Sequence, residues 1–206
     1  WEKIMSSLGI NNNDDILIYD NSDLKSSCRC WFSLLFFGHD EKKIHVLNGG
    51  LKKWIFENKP ITKGTTEIIE SNYAANKKEN LVVSFDQIKK NILSKSFNVI
   101  DARSLERFEG KVSEPRKGLR SGHIQNSFCL PFNLCINQKT GEFKNLEELR
   151  ELFNQNENIE KRLDQVFTCG SGVTAAVLAY AYKMVNNDYI PKIYDGSWSE
   201  YGKYPA

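Results

Sequence analysis

The sequence predicts an α/β fold in two related units, each a mostly parallel sheet flanked by helices, with the first unit incomplete. Short apolar runs alternate with segments long enough to form helices, which is typical of parallel sheets covered on both faces. The same order of elements occurs near both ends of the chain. The composition of the 206 residues, 40% hydrophobic and 26% charged, is that of a globular protein.

The first unit is predicted between residues 1 and 60. Its expected elements are a buried strand at residues 16–19, a helix at 24–37, a strand at 44–47, and a short helix containing Trp54 after the turn at 48–50. Gly38 stands where a helix C-terminal cap is expected, and Pro60 closes the unit.

The C-terminal end repeats this order. The expected elements are a strand at residues 166–168, a helix at 173–186, a strand at 193–194 and a short helix at 198–201. Asp20 corresponds to Cys169, Gly49 to Gly196 and Trp54 to Tyr201, with nearly constant offsets along the sequence. Two anchors with the same offset and a third close to it indicate an internal repeat.

The second unit is predicted over residues 84–206, after a polar linker at 61–83. Its earlier half should contain a helix that starts after the N-cap Ser84, strands at 97–100 and 128–130, and a helix at 146–153. The first unit has no counterpart of this half, and the sequence begins at Trp1. We therefore expect this chain to be a fragment.

Composition excludes several classes of protein. The net charge is only +2, from 28 basic and 26 acidic residues. So small an excess does not indicate the basic surface that binds nucleic acid. No apolar run approaches the ~20 residues of a membrane span. Five cysteines are too few for a disulfide scaffold and suggest a reducing compartment. We expect no nucleic-acid or membrane partner, no metal site, and a cytoplasmic location, or a mitochondrial one if a targeting segment lies upstream.

The residues that suggest chemistry form the loop at 169–174, which we call the cradle. Gly170 and Gly172 allow the backbone to curl, so that successive N–H groups point inward where the next helix begins. Val173 and Thr174 add the first N–H groups of that helix. Such a site should lower the pKa of the Cys169 thiol and prepare it as a nucleophile. The alternative is a buried structural cysteine.

Two other cysteine chemistries do not fit. A cysteine phosphatase needs an arginine six positions after its nucleophile, where this chain has Ala175. A protease-like Cys–His pair is weakly supported, because His39 and His45 belong to the first unit and His123 follows Gly122 beside a strand.

Several motifs together resemble the rhodanese family, and the whole chain is similar to its two-domain sulfurtransferases. The motifs lie at residues 101–103, 107–110, 114–116, 121–124 and 194–198, and in the first unit at 19–20, 38–39 and 47–51. The Cys-Gly-Ser-Gly-Val-Thr loop is the form found in 3-mercaptopyruvate sulfurtransferases. Members specific for thiosulfate usually carry two basic residues where this chain has Gly170 and Ser171.

The resemblance implies transfer of sulfur through a persulfide on Cys169. The donor would be 3-mercaptopyruvate, pyruvate would leave, and a thiol, thioredoxin or cyanide would accept the sulfur, without a cofactor. Arg107 and Arg116 would bind the donor's carboxylate and carbonyl, and the cradle glycines, Val173 and Thr174 would contact it through their backbone.

In the first unit, Asp20 stands where a catalytic cysteine would be, which matches the inactive N-terminal domain of the family. The role of Ser171 stays open: it would either help to polarise the donor or simply fit the cradle. Two alternative functions stay open as well. The alternative functions are a thiosulfate:cyanide sulfurtransferase and a rhodanese-like sulfur-carrier or regulatory module.

Overall fold

A computed structural model describes residues 1–23, 25–155, 157 and 159–204. Within them the helices are α1 (Glu2–Ser7), α2 (Ser27–Phe36), α3 (Gly50–Phe56), α4 (Phe85–Ser94), α5 (Leu105–Phe108), α6 (Leu146–Asn154), α7 (Val173–Val185) and α8 (Ser197–Tyr201). The strands are β1 (Ile16–Ile18), β2 (Ile44–Val46), β3 (Phe97–Asp101), β4 (Ser127–Cys129), β5 (Asp164–Thr168) and β6 (Lys192–Ile193). Leu24, the first residue of the helix predicted at 24–37, lies outside the described residues.

The second unit is built on a parallel sheet with the strand order β4-β3-β5-β6. On one face, Ile100 and Phe167 belong to an apolar cluster with residues of α6 and α7. On the other face, Val99 and Val166 form a second cluster with residues of α4 and α8. The prediction of a parallel sheet with helices on both faces is therefore confirmed.

The first unit repeats a hydrogen-bond pattern of the second. The Leu47 N–H donates to Ile18 O at 2.9 Å, and the Tyr194 N–H donates to Phe167 O at the same distance. The next pair of bonds matches as well. Leu51 N–H donates to Asp20 O, and Trp198 N–H donates to Cys169 O, both at 2.9 Å. The backbone around Asp20 is thus arranged like the backbone around Cys169.

One hydrophobic core joins the two units. Helix α2 packs against α7, and Trp31 meets Tyr180 edge to face with 5.0 Å between the ring centroids. Trp31 and Phe32 are each 2% exposed, and they share their apolar cluster with the buried alanines of α7. Small side chains on α7 allow close helix packing, so burial of apolar surface stabilises both units together.

Three features of the first unit differ from the sequence prediction. The first strand is not buried on both faces: Ile18 is 8% exposed but Leu17 is 58% exposed, because β1 packs on the core with one face only. Helix α2 begins at Ser27, later than predicted, because the Asp20 carboxylate accepts the Ser27 N–H at 2.6 Å from seven residues away. Helix α1 has no strong sequence signal, since Met5 is its only buried residue.

The predicted linker has two different halves. Residues 61–70 are exposed throughout. Beyond them the chain packs on the first unit: Tyr73 is 2% exposed, and Asn76 N–H donates to Phe37 O at 3.0 Å. Val83 N–H then donates to Ile193 O at 2.9 Å and joins the second unit. The domain boundaries remain predictions.

The Asp20 carboxylate contacts two backbone N–H groups, one in the loop that follows β1 and one at the first residue of α2. One oxygen accepts the Ser22 N–H at 2.9 Å, and the other accepts the Ser27 N–H. An anion at this position satisfies unpaired helix donors and interacts favourably with the helix dipole.

We therefore expect Asp20→Ala to lower the free energy of unfolding by about 1–2 kcal/mol, the usual cost of losing a helix cap. Urea denaturation measures this. Asp23→Ala is the control, because the Asp23 side chain is 89% exposed and its ion pair with Lys52 contributes little. Equal stability of the two variants would contradict a capping role for Asp20.

Candidate active site

Cys169 follows β5 directly, and its sulfur faces backbone amides. Sγ accepts the Gly172 N–H at 3.1 Å and the Ser171 N–H at 3.4 Å. The residue is 2% exposed and α7 begins just beyond it, at Val173. Burial alone disfavours a thiolate, whereas two N–H donors and a helix N-terminus stabilise one. The cradle can therefore hold a sulfur anion out of water.

The cradle is held from the side of α8. The Trp198 N–H donates to Cys169 O and the Ser199 N–H to Gly170 O, both at 2.9 Å. The Ser197 hydroxyl accepts the Cys169 N–H at 3.3 Å and donates to Tyr194 O at 2.9 Å. These contacts fix the start of the loop from the segment that follows β6. No local sequence signal predicts this role for the three residues of α8.

Arg107 and Arg116 both reach the cradle. A Cβ atom placed on Gly170 would lie 3.2 Å from Arg107 Nη2 and 3.5 Å from Arg116 Nη1. Arg116 Nη1 also lies 3.5 Å from the Gly170 carbonyl oxygen, to which it donates. Two guanidinium groups therefore stand beside the sulfur-holding loop, where an incoming anion would meet them.

Arg107 is oriented by a buried carboxylate. Glu114, whose side chain is 1% exposed, accepts from Arg107 Nη2 at 2.5 Å and from Arg103 Nη1 at 2.8 Å. Arg103 in turn donates from Nη2 to Asp101 at 2.7 Å. Alternating charges thus run from the end of β3 to the rim of the cradle.

The other predicted site residues are placed as follows. Ser171 is partly buried in the cradle, where its N–H rather than its hydroxyl contacts the sulfur. Val173 and Thr174 open α7 after Gly172, the N-cap, so their N–H groups are among those without a partner inside the helix. Their contact with a ligand remains a prediction.

The histidines are engaged elsewhere. His39 is buried and contacts Tyr73 Oη at 3.2 Å and Asp14 O at 2.9 Å. His123 Nδ1 lies 2.8 Å from Phe108 O, and its ring stacks on the Phe108 ring. His45 lies beside Asp15. These contacts support structural roles.

A residue of the first unit also reaches the cradle. Arg29, in the first turn of α2, forms an ion pair with Asp195, and its Nη1 donates to Gly172 O at 3.4 Å. The sequence carries no signal for this contact, because the partners lie more than 140 residues apart and only packing brings them together.

The described part of the chain contains no candidate for two other kinds of site. Within the described ranges, no group of three or more His, Cys, Asp or Glu side chains could hold a metal ion. In the same part of the chain, no helix has the length and apolar character needed to cross a bilayer.

Comparison with known proteins gives a consistent result. The family described as Rhodanese-like domain matches residues 84–204. Thiosulfate/3-mercaptopyruvate sulfurtransferase 2 of Arabidopsis thaliana is 39% identical over 97% of this chain and 63% of its own length. The mitochondrial thiosulfate/3-mercaptopyruvate sulfurtransferase 1 of the same plant is 35% identical over 97% of this chain and 57% of its own length. This chain therefore spans about three fifths of the length of these relatives.

A solved structure agrees over nearly the whole chain. The crystal structure of SseA from Escherichia coli, described as a 3-mercaptopyruvate sulfotransferase with a rhodanese fold, superposes with a TM-score of 0.82. The match covers 97% of this chain and 72% of SseA, at 31% sequence identity.

The geometry of Gly172 leads to a test. Gly172 has φ +79°, and a Cβ there would lie 2.5 Å from Asp195 Oδ1 and 2.7 Å from Arg29 Nη1. We expect Gly172→Ala to displace the N–H that faces Sγ and to slow alkylation of Cys169 by iodoacetamide about tenfold or more. Peptide mapping by mass spectrometry measures this at Cys169 separately.

Gly118→Ala is the matched control. Gly118 has φ +80° but open space around it, so its variant carries the same left-handed strain without a clash. Burial raises the pKa of Cys129 and of Cys135 to about 12, so these thiols stay protonated at neutral pH and react slowly. Equal alkylation of Cys169 in both variants would contradict the assigned role of Gly172.

Proposed function

Because the chain belongs to the family of rhodanese-like domains, we propose that it is the sulfur-transferring part of a 3-mercaptopyruvate sulfurtransferase. One observation carries the proposal: two backbone N–H groups point at Cys169 Sγ beside Arg107 and Arg116. The names of the relatives supply the class of donor. The cradle supplies a stabilised thiolate, and the two arginines supply charge for an anionic substrate.

The first half-reaction loads Cys169 with sulfur. The thiolate attacks the donor's sulfur, an S–S bond forms and the donor's S–C bond breaks. The electron pair of that bond stays on carbon as the enolate of pyruvate, which takes up the proton that the donor's thiol carried. Sulfur is oxidised and carbon is reduced within the donor and the enzyme, so no external oxidant is needed.

The second half-reaction returns the enzyme to its thiolate form. An acceptor thiolate attacks the outer sulfur, the S–S bond breaks, and the acceptor leaves as a persulfide. Cyanide in the same role leaves as thiocyanate. In between, the N–H groups of Ser171 and Gly172 would stabilise the charged persulfide as they stabilise the thiolate.

The proposed donor preference is supported by the charged groups beside the cradle. A 2-oxo acid offers a planar carboxylate, which suits a guanidinium fork. Gly170 and Ser171 add no positive side chain to the cradle itself. Ser171 would polarise the donor or fill the loop, and a Ser171→Ala variant would separate these roles by its rate of persulfide formation.

A second donor is favoured by a specific observation. Both Arabidopsis relatives have names that join thiosulfate with 3-mercaptopyruvate. With thiosulfate the S–S bond of the donor breaks and sulfite leaves. We rank thiosulfate second, because its compact dianion makes less use of two separated arginines.

The surroundings of the reaction are part of the proposal. The acceptor would be a small thiol or thioredoxin. The compartment would be the cytoplasm or the mitochondrion, the latter supported by the name of one relative. Residues 84–206 would be the catalytic domain, residues 1–60 a non-catalytic one, and 61–83 the link between them.

The central prediction concerns Cys169. Incubation of the purified protein with 3-mercaptopyruvate should add about 32 Da, the mass of one sulfur atom, to the peptide that contains Cys169. The addition should be absent in Cys169→Ser and should disappear after a thiol acceptor is added. Thiosulfate loading more than 3-mercaptopyruvate at equal concentration would reverse the donor ranking. No addition from either donor would favour a sulfur-carrier or regulatory module.

The two arginines give a separate prediction. Charge-assisted hydrogen bonds contribute about 1.5–3 kcal/mol each, so Arg107→Met or Arg116→Met should raise the donor KM by about 10- to 100-fold. Steady-state kinetics at several donor concentrations measures this. Arg162→Met is the control. Arg162 is exposed and lies just before β5 begins, at the end of the strand opposite to the cradle. An unchanged KM in both rim variants would remove the arginines from substrate binding.

A further inference from the structure

We infer that Arg29, a residue of the first unit, is a positioning residue for the cradle of the second. The inference rests on the proposed function for its meaning in turnover, but its geometry stands independently. Arg29 Nη1 donates to Gly172 O at 3.4 Å and forms an ion pair with Asp195. One guanidinium thereby ties Gly172 of the cradle to the turn before α8.

Gly172 is the residue on which this contact acts. Its own N–H makes the shorter of the two bonds to Cys169 Sγ, at 3.1 Å. A Cβ on Gly172 would lie within 2.7 Å of both Asp195 Oδ1 and Arg29 Nη1, so the two side chains lie directly against its α-carbon. Arg29 and Asp195 therefore restrict the space around the residue whose N–H faces the sulfur.

The helix that carries Arg29 is held firmly in the core. Helix α2 packs against α7, and the neighbouring residue Cys28 is fully buried in the shared core. The Arg29 carbonyl accepts the Ser33 hydroxyl at 2.9 Å, one turn further along α2. The first unit thus supplies a fixed support for the loop that holds the sulfur.

The energy of the ion pair is not the reason for its importance. The side chains of Arg29 and Asp195 are 32% and 43% exposed, and ion pairs this accessible to water contribute little to stability. Their effect is geometric, because they hold a loop at the position that a sulfur anion requires. Removal of Arg29 should therefore affect reactivity much more than folding.

The test compares Arg29→Met, Arg29→Lys and Asp195→Asn in the whole chain. Arg29→Met should slow alkylation of Cys169 by iodoacetamide about tenfold at neutral pH, and Asp195→Asn should slow it to a similar extent. Arg29→Lys keeps a donor and should restore part of the rate. Alkylation of Cys169 in the double variant Arg29→Met/Asp195→Asn should be no slower than in Arg29→Met alone, since both residues act through one contact. With 3-mercaptopyruvate, kcat should fall while the donor KM stays within about twofold.

Glu41→Gln is the matched control. Glu41, in the first unit, forms an ion pair with Lys183 near the far end of α7, at 3.2 Å. It therefore joins the two units as Arg29 does, but away from the cradle. If Glu41→Gln slowed alkylation as much as Arg29→Met, the effect would come from the interface in general, and the positioning role would be wrong.

The remaining outcomes also decide the question. If Cys169 were alkylated at the wild-type rate in Arg29→Met and Asp195→Asn, and sulfur uptake were intact, the positioning role would be overturned. The proposed function would still stand. A wild-type protein that takes up no sulfur from any donor would overturn the proposed function, while the alkylation rates would still test Arg29. If Arg29→Met failed to fold, Arg29→Lys and Asp195→Asn would decide by the same rates.

Discussion

The structure of the site depends on two amide hydrogen bonds to one sulfur atom. They exist because Gly172 adopts a left-handed conformation and turns the chain from the end of β5 into α7. The first unit has a comparable arrangement around a carboxylate, with the two N–H groups two and seven residues further along the chain. There Asp20 occupies the position of Cys169 and its own carboxylate contacts the N–H groups. One loop stabilises a side-chain carboxylate, and the other has a thiol at the corresponding place.

The buried charges around Arg107 serve orientation more than stability. Glu114 faces Nε and Nη2 of Arg107, at 3.3 and 2.5 Å, and so fixes the plane of the guanidinium. Glu114 itself is satisfied on its other side by Arg103, which is bound to Asp101. A buried ion chain of this kind contributes little net stability, because desolvation offsets the attraction. Its effect is to hold Arg107 in one direction beside the cradle.

Much of the fold and part of the site could be predicted from local signals. Apolar runs located the strands, Ser84 marked the start of α4 through a capping box that the structure contains, and two glycines marked the cradle. The start of α2 could not be predicted, because its cap comes from Asp20, seven residues earlier. Arg29 and Glu114 were missed because their roles depend on tertiary packing. The parts assigned to Arg107, Arg116 and Ser171 came from family resemblance and remain predictions.

The shared core has a consequence for the covalent connection between the units. Residues 61–70 are exposed, whereas α2, which precedes that stretch, and α7, which follows it, bury their apolar faces against each other. A protease that cut the backbone there would break no apolar contact of the core. The two pieces would remain associated as a non-covalent complex, and either piece alone would expose an apolar helix face and tend to aggregate. The two units thus behave as one cooperative body. The exposed segment keeps them close together but adds no contact that stabilises their association.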